Sequence, residues 1–196
     1  MSRISLSLLF WAGVFAVALP RMTLANARQP APEIIIDLDE QEMKLFRAGQ
    51  EVAKFPVSTS KFGVGDEFHS YKTPTGVFEV CDKTGGNLPL GAVIKRGKPT
   101  GEVLQPDAPG RDPIVTRMIR LRGLEPQNRH ALVRGIFIHG TPEERRLGKP
   151  VSWGCIRMRS KDVAELYRQV PVGARVVIRG SGRPSGPLGW LARIFA

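Results

Sequence analysis

Reactive side chains are scarce in this sequence. Two cysteines, two tyrosines and three histidines are spread over 196 residues, too few for the repeated Cys/His spacing of a structural zinc site. A metal centre made from His139, Cys155 and one further histidine has no ligand spacing behind it, so neither a metal nor a cofactor is expected. Acidic residues are outnumbered, 18 against 29 basic ones, and the formal net charge is +11. Long amphipathic helical patterns are few and no internal repeat is visible, which points away from helical bundles and repeat arrays. Glycine (21), proline (16) and short β-branched runs are plentiful instead. The length suits one domain with a proper core and some appendage.

Only one long apolar run exists. Ile4 to Leu19 is interrupted by Ser5, Ser7 and Gly13 alone, follows Arg3, and leads to the small-residue site Ala25-Asn26-Ala27. That order reads as a cleaved secretory signal peptide over residues 1–27. An uncleaved anchor is the alternative, but the run falls short of the roughly 20 residues a membrane span needs. Cleavage starts the mature chain at Arg28 and implies export to the periplasm. The net charge then falls from +11 to +9, because Arg3 and Arg21 leave and no acid does. Export and scattered basic residues without interleaved aromatics exclude nucleic acid as the partner. A polyanionic extracellular matrix fits better.

Residues 28–32 are a proline-containing lead-in, and 33–179 form the folded domain. Strands are expected at Glu33–Leu38, Met43–Phe46 and Val52–Ser58, joined through Ala48-Gly49-Gln50 as a meander. A polar loop, 59–71, carries His69. Lys72-Thr73-Pro74-Thr75-Gly76 is a turn leading into a strand at Val77–Val80. Residues 82–113 read as a long loop with one short strand at Ala92–Ile94, either a substrate-facing lid or a tolerated insertion. Strands resume at Ile114–Leu121 and Arg134–His139. Ser160 is a candidate N-cap for an amphipathic helix over 161–169, with Val163, Leu166, Tyr167 and Val170 on one face. Ala174–Arg179 is the last strand. Residues 180–196 form a Gly/Ser/Pro linker and a short apolar tail, which leaves docking on the domain, peripheral membrane contact or disorder all open.

Two stretches carry the chemistry. Ile136-Phe137-Ile138-His139-Gly140 ends an apolar run on an imidazole, and Ser152-Trp153-Gly154-Cys155-Ile156-Arg157-Met158 brings a thiol sixteen residues later. A free thiol of pKa about 8.5 is only a few per cent thiolate at neutral pH. An imidazole that takes the proton and a guanidinium that favours the anion both remedy this. Gly140 and Gly154 lack a Cβ, so backbone can approach a substrate carbonyl and aim N–H groups at its oxyanion. This points to Cys/His acyl transfer. In an exported chain a Cys81–Cys155 disulfide is the competing reading, and it would abolish the nucleophile. His69 is read as solvated or groove-lining, and His130 as a surface residue.

These segments, with Thr73-Pro74-Thr75-Gly76-Val77-Phe78, resemble the L,D-transpeptidase catalytic domain (YkuD-like), β-rich enzymes that remodel bacterial peptidoglycan. The similarity spans about Glu33 to Arg179. It implies a mainly β fold, a sandwich or mixed sheet with one or two short helices and a long loop excursion. By that resemblance Cys155 is the nucleophile and His139 the base. The Gly140 carbonyl orients the imidazole, and Ser152, Gly154 and Arg157 frame the nucleophile loop, its oxyanion site and its substrate contacts. Trp153 stands where the family has a histidine, and indole can donate a hydrogen bond but accept no proton. The implied partner is a peptidoglycan tetrapeptide stem, acting with a monomeric enzyme. The acceptor is a second stem, a free D-amino acid or a protein lysine; water would make the enzyme an L,D-carboxypeptidase. A non-catalytic wall-binding relative is the alternative of a different class.

Overall fold

The computed structural model describes residues 30–181. The leader 1–27 and the tail beyond Ser181 lie outside the described residues. β1 (Glu33–Asp37) buries Ile34 and Ile36, and β2 (Glu42–Arg47) buries Met43 and Leu45, the period of two that a strand imposes. Each such side chain, fully withdrawn from water, contributes about 1.5–3 kcal/mol. β3 (Gln50–Pro56) completes the antiparallel meander. Its turn places Ala48 and Gly49 both at positive φ (49° and 77°), the geometry that matches strand twist in two-residue hairpins.

The sheet then passes through β10 (Arg175–Arg179), β4 (Gly76–Thr84) and β7 (Val115–Gly123) to the hairpin β5 (Ala92–Lys95) and β6 (Lys98–Val103). A branch runs from β7 to β8 (Phe137–Gly140) and β9 (Ile156–Met158). β1–β10 and β8–β9 are parallel pairs and the other pairs are antiparallel, giving a mainly β, mixed sheet. Two short helices accompany it, α1 (Ala131–Arg134) and α2 (Ser160–Gln169). α2 lies on β7 and β8. Val163, Leu166 and Val170 close one core with Ile119, Ile138 and Ile156.

Three local expectations change. Ser160 is the first helical residue, not the cap. The cap position belongs to Arg159, and the Glu144 carboxylate accepts the Ser160 N–H at 2.9 Å. The strand expected from Arg134 starts at Phe137, because Arg134 ends a one-turn helix capped by Gly135 at φ 69°. Residues 82–113 are not one loop around a lone short strand: β4 runs on to Thr84, and β5 and β6 form a hairpin. β6, Lys-Pro-Thr-Gly-Glu-Val, is exposed throughout. It therefore lacks the apolar alternation by which a strand is read, and Pro99 and Gly101 are tolerated because the strand is an edge.

Candidate active site

Sheet register assembles the site. In the parallel β8–β9 ladder His139 is the partner of Arg157. Across β7 and β4, Thr84, Met118 and His139 form one row, and Asp82, Arg120 and Phe137 form the next. Cys155 lies in the bend just before β9, two residues ahead of Arg157. A bulge in β7, between Val115 and Met118, lies beside this row. Within it Thr116 holds φ 69°, an outlier for a β-branched residue. Its hydroxyl donates to Ser160 Oγ (2.8 Å) and accepts from the Gly91 N–H (2.9 Å).

His139 is buried and its Nδ1 lies 2.9 Å from the Gly140 carbonyl, which makes Nδ1 the protonated nitrogen and leaves Nε2 free to accept. Burial pushes the imidazole pKa below 6.5, and Arg157 adds to that; the Gly140 carbonyl and Asp112 oppose it. Burial likewise pushes the Cys155 thiol up, with Asp112 adding to it, while the Phe137 backbone N–H, Arg157 and Arg134 pull it back. The thiol points at the Gly135 carbonyl, 3.3 Å away. Both shifts favour the neutral forms of the two groups.

Arg157 is itself buried and paired, with Asp112 at 2.5 Å and Glu143 at 3.3 Å. Asp112 also accepts from the Thr141 hydroxyl. The guanidinium is thus held in the wall by two carboxylates. Ser152 Oγ accepts the Gly154 N–H (3.2 Å) and donates to the Cys155 carbonyl (2.6 Å), closing the turn at Cys155. Thr73 Oγ1 donates to the Gly154 carbonyl (3.0 Å) and accepts the Ser60 N–H (3.0 Å). The Thr73-Pro74-Thr75-Gly76 segment is therefore wired to the cysteine loop.

A cavity of about 390 Å³ opens onto Cys155, with His69, Tyr71, Arg134 and Trp153 among its lining. Arg134 ties its floor together by bonding the Gly65 and Lys72 carbonyls, Asp66 and Ser70. Trp153 is 55% exposed at the mouth. Its ring meets Tyr71 and Phe62 edge-on at 5.2 and 5.3 Å, with the Lys61 ammonium 4.5 Å from the centroid.

Residues 31–178 match the family described as the L,D-transpeptidase catalytic domain, YkuD. The chain belongs to that family. It is 28% identical over 175 residues to YqjB of Bacillus subtilis, named as an L,D-transpeptidase, covering 89% of this chain and 86% of the relative. It is 31% identical over 168 residues to the L,D-transpeptidase YcfS of Escherichia coli, covering 80% of this chain and 48% of the relative, about half its length. The fold is that of an L,D-transpeptidase from Mycobacterium smegmatis, with a TM-score of 0.50 at 19% identity over 76% of this chain and 58% of the other.

Within this L,D-transpeptidase domain the structure brings His139, Gly140, Ser152, Trp153, Gly154, Cys155 and Arg157 into one region. Several roles read from sequence look different in space. Gly140 is packed rather than open: a Cβ there would lie 2.5 Å from the Val115 carbonyl. The Gly154 N–H is taken by Ser152, and its φ of 117° suits only glycine. Cys81 and Cys155 are both free thiols. His69 lines the cavity. His130 is half-buried, with Nδ1 3.1 Å from the Asp66 carbonyl and its ring 4.6 Å from Phe68. No group of three metal-ligating side chains occurs among the described residues. Asp112, Glu143 and Arg134 were missed by the sequence reading, since no spacing links them to Cys155. Thr73 had a signal, its Thr-Pro-Thr-Gly segment.

Proposed function

We propose that this chain is an exported cysteine L,D-transpeptidase acting on peptidoglycan tetrapeptide stems. The observations that carry the reading are a buried His139 with the Gly140 carbonyl on its Nδ1, on the strand paired with the one that follows Cys155, and a free Cys155 thiol that lines an open cavity. A base whose outer nitrogen is fixed in one tautomer is ready to take the thiol proton through the other. Cys155 then attacks the carbonyl of the diaminopimelate-type third residue, and the terminal D-alanine leaves with that proton. An amine resolves the thioester and His139 reverses its role. No metal or cofactor enters these steps.

The leader over 1–27 supports export to the periplasm, and no helix among the described residues is long and apolar enough to cross a membrane. Trp153, in the family's histidine position, serves as a rim residue against which the stem packs, which leaves the base function to His139. Incubating the purified protein with tetrapeptide muropeptides and separating the products tests the reading. Release of D-alanine with cross-linked or exchanged stems is expected. Unchanged muropeptides would leave only a wall-binding role.

A further inference from the structure

The mouth of the Cys155 cavity carries more aromatic surface than a stem peptide can cover. Phe62, Tyr71 and Trp153 are 42%, 48% and 55% exposed, and their ring centroids lie 5.2, 5.3 and 6.0 Å apart. At 150–250 Å² for each such side chain, about 300 Å² of this cluster faces water. A patch of that size on a soluble protein marks a binding surface. Tyr71 and Trp153 line the cavity with the sulfur, and Phe62 stands outside its lining. The rings therefore form a surface that begins at the nucleophile and runs outward from it.

Three separate segments supply these rings, and the buried Ser60 knits two of them together. Its Oγ accepts the Phe62 N–H at 3.0 Å and donates to the Tyr71 carbonyl at 2.6 Å. The Lys61 N–H donates to the Ser152 carbonyl at 3.2 Å, which ties the same segment to the loop that carries Trp153. Tyr71 holds φ 57°, uncommon for a bulky residue and the kind of local strain that persists where function fixes a side chain's direction. The Lys61 ammonium lies 4.5 Å from the Trp153 centroid and 5.1 Å from that of Phe62. It adds hydrogen-bond donors to an otherwise apolar surface.

A ligand that covers several rings at once needs a flat C–H face with polar groups at its edge. A stem peptide offers methyl groups and charged side chains, and no such face. The sugar from which a stem hangs offers one. The C–H bonds of a pyranose lie against the negative face of an aromatic ring, and its hydroxyl and acetamide oxygens accept from an ammonium. Reach agrees with this, because the attacked carbonyl belongs to the third residue and the sugar begins about 10 Å away along an extended stem. Resting on the transpeptidase reading of Cys155, we propose that Phe62, Tyr71 and Trp153 seat an N-acetylated hexosamine of the wall glycan, with Lys61 donating to its oxygens. The enzyme then favours stems still attached to glycan over free tetrapeptides. Trp153 is central to that preference, since the histidine that the family has at this position is a smaller and more polar ring.

The test compares two donors by kcat/KM, the free tetrapeptide and the same tetrapeptide on its disaccharide. The sugar-linked donor is expected to lead by roughly tenfold, mainly through KM. Trp153→Ala and Phe62→Ala should shrink that ratio, and so should Trp153→His, whereas Trp153→Phe and Phe62→Tyr should keep most of it. A purely structural loss would lower both donors alike and leave the ratio in place. Binding is read separately by titrating an N-acetylglucosamine trimer into the Cys155→Ala, Trp190→Phe protein, in which Trp153 is the single tryptophan beyond residue 27. A saturable change in its fluorescence is expected, weakened by Phe62→Ala. Equal use of the two donors, a ratio unmoved by Trp153→Ala, or no response to the trimer would overturn the proposal. A response to anionic phospholipid vesicles and none to sugar would overturn it too, and make the rings a membrane contact. If neither donor acylates the enzyme, the transpeptidase reading fails instead, and the titration still decides whether the rings hold sugar.

Discussion

His139 and Arg157 are register partners on adjacent parallel strands, and both are buried. One is neutral and one charged, and Asp112 acts on both: it pairs with the guanidinium at 2.5 Å and opposes the fall in the imidazole pKa. The charge of Arg157 is thus spent inside the wall, where it tunes the neighbouring imidazole and thiol from a fixed position.

Removing Asp112 should therefore be costly. Asp112→Ala leaves Arg157 with Glu143 alone, and losing one partner of a buried pair costs about 3–5 kcal/mol. Because Glu143 remains, the lower end, about 3 kcal/mol, is expected in chemical denaturation. Arg145→Ala, which breaks a pair to Asp107 whose arginine is 79% exposed, should cost less than about 1 kcal/mol.

Stability should carry the signature of a buried neutral histidine. The folded-state pKa of His139 lies below 6.5, so below that pH the unfolded chain takes up a proton the folded one refuses. The contribution is complete above pH 6.5 and drains away as pH falls towards the folded-state value. Melting curves from pH 8 to 5 should show a steeper loss for the wild type than for His139→Gln. Parallel curves would contradict this placement of the imidazole.

Gly140→Ala tests close packing beside His139. The new Cβ would meet the Val115 carbonyl at 2.5 Å and Val163 at 3.2 Å. Strand backbone cannot step aside, so a loss of about 1–3 kcal/mol is expected, the usual range for overpacking. Turnover should fall with it, because the same residue's carbonyl orients His139.

Trp153→Ala separates binding from chemistry. The ring is exposed and held by edge contacts to Phe62 and Tyr71, so melting should shift little. If the rim packs the stem, KM for tetrapeptide rises several-fold while kcat is kept. A collapse of kcat at unchanged KM would give the indole a part in the chemistry.

Much of this was legible from sequence where periodicity or spacing speaks. Ile34, Ile36, Met43 and Leu45 alternate as a half-buried sheet must, and the sixteen-residue separation of His139 and Cys155 carried the chemistry together with the family resemblance. What stayed hidden was set by contacts across the chain. Asp112 and Glu143 reach Arg157 from different loops, and Arg134 reaches back to the 65–72 segment, so no local pattern announces them. β6 was hidden because its residues face solvent on both sides. Ser160 is a good cap by type, yet the helix starts at it: Glu144 accepts its N–H and its hydroxyl accepts from Thr116.

The most direct test is the intact mass of the protein after brief exposure to tetrapeptide stems, with the modified residue located by peptide mapping. The account predicts one acyl group, less D-alanine, on Cys155 in the wild type and none in Cys155→Ala, with stem turnover lost in the variant. Turnover retained by Cys155→Ala, or an acyl group mapped to any other side chain, would contradict it.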